Sequence, residues 1–127
     1  MQPAARRASV FAALSLALAT LIGAAAAHVL KRRLELERYE VLQTSLQYQW
    51  FHSLGLLALA PWLDRLALPL LRVAAWLLSA GIVLFSGSLY LLIAGAPALV
   101  GIATPVGGLA LIAAWLLAAL ALLRAAR

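Results

Sequence analysis

The chain has 127 residues, of which 66% are apolar and 11% charged, and its mean hydropathy is +1.03. An ordinary soluble domain is about half apolar and about a quarter charged, so this chain lacks the polar surface to cover itself in water, and it is far too apolar for disorder. The net charge of +6 comes from basic residues placed in small groups at the ends of apolar runs, which excludes a nucleic-acid face and marks a membrane protein; without cysteine there are no disulfides and no thiolate metal sites.

A bilayer core of about 30 Å takes about 20 mostly apolar residues in a helix. Residues 8–30 supply them without a charge, between Arg6-Arg7 and Lys31-Arg32-Arg33. Ser15, Ala19, Gly23 and Ala27 recur there every four residues. Such a small-residue stripe suits close approach, because helix association in lipid rests on packing and interhelical hydrogen bonds. Arg6-Arg7 ahead of an apolar core, with Ala25-Ala26-Ala27 before His28, also has the look of a secretory signal. The apolar run continues through Val29-Leu30, longer than a usual signal core, so the expectation is an uncleaved first helix.

Residues 31–40 alternate Lys31, Arg32, Arg33 and Arg38 with Glu35, Glu37 and Glu40, the pattern of a short interfacial helix. The second span, 45–63, is polar in its first half, with Gln47, Gln49, His52 and Ser53, and aliphatic over 54–60 apart from Gly55. Trp62 gives it an interfacial anchor, and Pro61, Asp64, Arg65 and Pro69 predict a turn with a local Asp64–Arg65 ion pair. The third span, 73–95, holds only Ser79, Ser86, Ser88 and Tyr90 as polar side chains and is thinned by Gly81, Gly87 and Gly95. Thr104 as N-cap and Pro105 at the first helical position open the fourth span, 105–123. Gly107 and Gly108 allow close packing at its start, and Ala110, Ala114 and Ala118 continue a small-residue face. The expected fold is an all-α membrane protein, a four-transmembrane-helix bundle with a short interfacial helix between helices 1 and 2.

An even number of spans puts both termini on one side. That side collects Arg6, Arg7, Arg65, Arg72, Arg124 and Arg127, against Lys31, Arg32, Arg33 and Arg38 on the other, which predicts cytoplasmic termini. At 100° per residue, Ser45, Gln49 and His52 fall together with Tyr48 beside them, while Gln43 and Gln47 point the opposite way. His28 lies on the membrane side where the second span begins. The candidate intramembrane cluster is therefore His28, Gln43, Gln47, Tyr48, Gln49 and His52, joined by Ser86 and Tyr90, which share a face at i,i+4. Two histidines fall short of a zinc site, and Gln and Tyr are poor zinc ligands, so neutral, hydrogen-bonding histidines are expected and no metal or cofactor. No Walker loop, zincin helix, nucleophile elbow or dinucleotide fingerprint is present, and an enzyme is not expected.

Gly23-Ala24-Ala25-Ala26-Ala27-His28-Val29-Leu30 and Gln43-Thr44 with Gln47-Tyr48-Gln49-Trp50-Phe51-His52 resemble the first half of a family of small four-helix proteins. Leu84-Phe85-Ser86-Gly87-Ser88-Leu89-Tyr90 and Thr104-Pro105-Val106-Gly107-Gly108 resemble its second half, in the same order. The family is domain of unknown function 423: bacterial YgdD-like inner-membrane proteins, with eukaryotic relatives named transmembrane protein 256. The chain departs from it at Ala25 and Ala26, where the family usually has Phe and Gly. The resemblance implies a retained first helix and a bacterial inner-membrane location, and it brings no activity.

The function expected is that of a non-enzymatic structural or accessory membrane subunit, with the lipid bilayer as its surroundings and a homo-oligomer or larger membrane complex as its assembly. The alternative is a small transporter or channel-like carrier with a path through His28, Gln47, Gln49 and His52. Polarity confined to one half of the second span favours the former.

Overall fold

A computed structural model describes all 127 residues, Met1–Arg127. The chain is helical throughout and has no strands. Helix α1 runs over Pro3–Ala25 and continues through a π turn, Ala26–Leu30, to Arg33. It is followed by α2 (Leu36–Leu66), α3 (Pro69–Ile93) and α4 (Ala103–Ala125), the last preceded by a 3-10 segment, Ala98–Ile102. Three of the four, Pro3–Arg33, Pro69–Ile93 and Ala98–Ala125, are long and apolar enough to cross a membrane.

Each boundary has a local cause. Proline stands at the start of α1 and α3, where no amide donor is needed. Ala67 ends α2 in the left-handed region at φ 46°, and Pro69 prevents continuation. Helix α3 closes on Gly95 at φ 98°, whose N–H donates to the Leu92 carbonyl while that of Ala96 donates to Leu91. This is the Schellman arrangement, so Gly95 is a cap and not a packing glycine.

Several expectations change. Residues 31–40 form no helix of their own: 31–33 end α1, only Leu34 and Glu35 break the chain, and 36–40 are the first turns of α2. Pro61, Asp64 and Arg65 lie inside α2, and the turn is confined to Ala67-Leu68. Asp64 accepts the Gln2 backbone N–H at 2.6 Å, and the Gln2 amide donates to the Asp64 carbonyl at 2.9 Å, which ties the start of α1 to the end of α2. Helix α4 begins at Ala103, so Pro105 is its third residue, and Thr104 bonds to Ser88 instead of capping.

Consecutive helices pack on one another, α1 on α2, α2 on α3 and α3 on α4, with α1 also touching α3. The buried seams repeat in sevens. In α1 they are Ala5, Ala12, Ala19 and Ala26, interleaved with Ala8 and Ser15. In α2 they are Leu42, Gln49, Leu56 and Leu63, interleaved with Leu46, Ser53 and Ala60. Gly107, Ala114 and Ala121 alternate with Leu111 and Ala118 in α4. A period of 3.5 is the signature of near-parallel, left-handed helix packing. The sevenfold repeat explains why Ala26 is fully buried while Ala27, four residues after Gly23, is exposed.

The interior is built of small and medium side chains, whereas Leu14, Leu21, Trp76, Leu109, Leu116 and Leu123 point outward and stand 67–70% exposed. A soluble monomer rarely shows contiguous apolar patches beyond a few hundred Å², and this bundle is apolar all round three of its helices.

Candidate functional site

Ser45, Gln49 and Ser53 of α2 face the interior and find partners on the neighbouring helices. Gln49, 3% exposed, donates its amide to the Ser15 carbonyl at 3.0 Å and the Ser15 hydroxyl at 3.2 Å. Ser53 donates to the same hydroxyl at 2.7 Å, and Tyr90 on α3 donates to Gln49 Oε1 at 2.6 Å. One turn away, the Ser45 hydroxyl donates to the Ser86 carbonyl at 3.0 Å, and the Ser86 hydroxyl donates to the Ser45 carbonyl at 2.8 Å. This is a network of six residues on three helices, and no buried side-chain polar atom of the protein is left without a partner.

Of the predicted cluster, the structure brings together Gln49, Ser86 and Tyr90. Ser45, read as lying with Gln49, belongs with them. Tyr48 and His52 lie on a different side of α2. Tyr48 stacks on Phe85 with ring centroids 4.2 Å apart, and His52 stacks on Tyr48 at 5.4 Å with Trp115 of α4 at 6.3 Å. His52 Nδ1 meets only the Tyr48 carbonyl of its own helix, at 2.7 Å. The reason is angular: the buried arc of α2 centres near Gln49, and His52 sits about 60° away from it. Gln43, Gln47 and His28 take no part in the network; Gln47 and His28 are exposed and Gln43 is half-buried.

The histidines do not meet. Gln49 and Ser53 both lie level with Ser15, so the antiparallel register places His28 level with the first turn of α2. At 1.5 Å per residue that is about 20 Å along the helix from His52. His28 falls in the π turn, where Lys31 N–H reaches back to the Ala26 carbonyl, and its side chain faces outward.

Ser15 and Ser53 are the members that sequence reasoning missed. Ser15 reads in the sequence as a small residue of the α1 stripe, yet it accepts from both Gln49 and Ser53. Its signal was being the one hydroxyl in a seam of alanines, and Ser53 follows Gln49 at i+4. Ser79 and Thr20 do bond back to their own helices, to the Ala75 and Leu16 carbonyls. Ser88 does so with Phe85 but also pairs with Thr104 of α4 at 2.6 Å.

The packing residues divide in the same way. Ser15, Ala19 and Gly23 lie in the α1–α2 seam, Gly23 against the Trp50 ring. Gly107 lies backbone to backbone on α3: a Cβ there would fall on the Phe85 amide nitrogen and 2.9 Å from the Leu84 carbonyl carbon. At Gly108 a Cβ would make ordinary contact with the Phe85 ring, at 3.8 Å. Gly87 packs against nothing within 4 Å, contrary to expectation. Gly55, the one non-aliphatic residue of 54–60, seats the Trp115 ring, which a Cβ would approach to 2.5 Å.

The chemistry available at the Ser15–Gln49–Tyr90 network is neutral hydrogen bonding. No group of three or more His, Asp or Glu side chains stands close enough to hold a metal. In comparisons with known proteins, a family model described as "Protein of unknown function (DUF423)" matches residues 22–108, which takes in the end of α1, all of α2 and α3 and the start of α4. No curated protein and no solved structure matches the chain.

Proposed function

The chain belongs to the DUF423 family of proteins of unknown function, and from that premise we propose that it is a four-span integral protein of the bacterial inner membrane, acting as a non-enzymatic structural or accessory subunit. The observation that carries the reading is the division of α2. Its polar side chains Ser45, Gln49 and Ser53 turn inward and are satisfied by α1 and α3, while Phe51, Leu54 and Trp62 turn outward. Mean hydropathy undervalues such a helix, because the inward polar groups that lower it never meet lipid. At 31 residues α2 is about 46 Å long, so a span over 45–63 leaves Leu36–Glu40 at the interface with its charges in headgroups or water.

The same contacts support retention of the first helix. Removal of residues before His28 would strip Gln49 and Ser53 of their shared Ser15 partner and leave buried polar groups in hydrocarbon. The accessory role rests on a network whose buried side-chain groups satisfy one another. A path through His28, Gln47, Gln49 and His52 would have to join residues that lie on different faces and at different depths.

The test has two parts. Reporter fusions at both termini and in the 31–35 and 94–102 connections should place the termini together in the cytoplasm and both connections outside. Crosslinking in mild detergent should recover a homo-oligomer or a larger complex. A strictly solitary monomer would refute the subunit role, and flux through liposomes abolished by His52→Ala would replace it with a carrier.

A further inference from the structure

The bundle is cleft along one flank. Helices α1 and α3 touch without closing on each other, and between them runs a groove of about 790 Å³ at the end where the termini lie. A second hollow of about 400 Å³ continues it toward the bundle centre, the two sharing Phe11 and Val83. Arg7, Arg72 and Trp76 stand at the outer end of this trough. Its middle is walled by Ala8, Phe11 and Val83, and its inner end opens at Gly87 over Gln49 and Tyr90.

We propose that this groove is a binding site for one anionic phospholipid of the surrounding bilayer, its phosphate between Arg7 and Arg72 and one acyl chain lying along the trough. The proposal rests on the membrane-embedded reading above. Charge decides the head end. Two guanidinium groups line it and no carboxylate does. Arg72 spends one N–H on the Ala67 carbonyl at 3.3 Å, which leaves most of its planar fork free for a phosphate. Of the four acidic residues in the chain, Asp64 is occupied by Gln2, and Glu35, Glu37 and Glu40 belong to the opposite end of the bundle. A second copy in the same orientation therefore brings no glutamate to these arginines, whereas a phospholipid headgroup brings a phosphate. Trp76, 70% exposed, supplies the amphipathic ring found at headgroup level.

Length decides the tail. On α1 the trough is lined from Pro3 to Leu18 and on α3 from Arg72 to Tyr90, about 22 Å and 27 Å at 1.5 Å per residue, more than half the thickness of a hydrocarbon core. A chain anchored at Arg7 and Arg72 thus has the trough beside it over its whole passage to the bilayer midplane. Gly87 fits the same account. It is a helical glycine with nothing to pack on from the protein side, and its missing side chain keeps the inner end open.

The test is native mass spectrometry of protein released gently from bilayers holding equal phosphatidylglycerol and phosphatidylcholine. The parent should keep phosphatidylglycerol over phosphatidylcholine by about thirtyfold, the combined preference expected of two interfacial arginines. Arg7→Gln with Arg72→Gln should bring that ratio close to one. Gly87→Leu, which has open space for its side chain, should cut retention of both lipids severalfold with the helical spectrum unchanged, and it keeps the test decisive should the arginine pair fail to fold. Equal retention of the two lipids by the parent overturns the proposal, as does retention indifferent to Gly87→Leu, or a protein dimer that Gly87→Leu abolishes. A protein stripped from vesicles by carbonate overturns the membrane reading itself, and an integral protein without lipid preference overturns only the site.

Discussion

Gly107→Ala adds one methyl group where α4 rests on the backbone of α3. The new Cβ would fall on the Phe85 amide nitrogen and lie 2.9 Å from both Leu84 Cβ and the Leu84 carbonyl carbon, against the roughly 3.5–4.0 Å of ordinary carbon contact. These are backbone atoms and the stem of a side chain, so no rotamer change relieves the clash; α4 must move off α3 by about 1 Å. That movement also loosens Leu111 over Gly81 and stretches the 2.6 Å Ser88–Thr104 hydrogen bond. Overpacking of this kind costs about 1–3 kcal/mol, and an interhelical hydrogen bond in a membrane averages about 0.6 kcal/mol, so a total loss of about 2–4 kcal/mol is expected. Gly87→Ala is the internal control. It meets nothing within 4 Å and exchanges glycine for the best helix former, so it should gain up to about 1 kcal/mol. Unfolding in mixed micelles with rising dodecyl sulfate, followed by tryptophan fluorescence, measures both. If Gly107→Ala unfolds with the parent, or Gly87→Ala unfolds earlier, the argument from close helix approach is wrong.

The polar network should behave as a coupled unit. In a double-mutant cycle of Gln49→Ala and Tyr90→Phe, the coupling should be about 0.6–1.7 kcal/mol, and a value near zero would mean that the 2.6 Å contact carries no energy. His52→Ala should change stability by less than about 0.5 kcal/mol, since its one hydrogen bond is to its own helix; a larger loss in the same unfolding assay would give it a role that its surroundings do not. Ala67→Gly should stabilise by about 1 kcal/mol by relieving a left-handed alanine at the end of α2, which a shifted unfolding midpoint would report. Amino-terminal sequencing of the membrane-extracted protein should read from the start of α1, and a sequence beginning at His28 would refute retention of the first helix.

Apart from the separate helix expected over 31–40, which does not form, what the sequence by itself determined was that the chain is all helical, roughly where its four long helices lie, and that three of them are long and apolar enough to cross a membrane. Those follow from hydrophobic length and from proline and glycine at the boundaries, all local properties of the chain. The resemblance to a family of unknown function, too, was legible in short motifs of Gly, His, Gln and Tyr. Helix phase was not legible. Whether Ala26 or Ala27 enters the seam, and whether His52 or Ser53 joins Gln49, turns on a rotation of less than one residue, set by the partner helix and its 3.5-residue repeat. The same dependence separated three glycines alike in sequence: Gly95 caps α3, Gly107 admits a neighbouring backbone, and Gly87 opens onto a groove. A hydrogen bond between Ser15 and Gln49 joins residues 34 positions apart, and only packing brings such groups together.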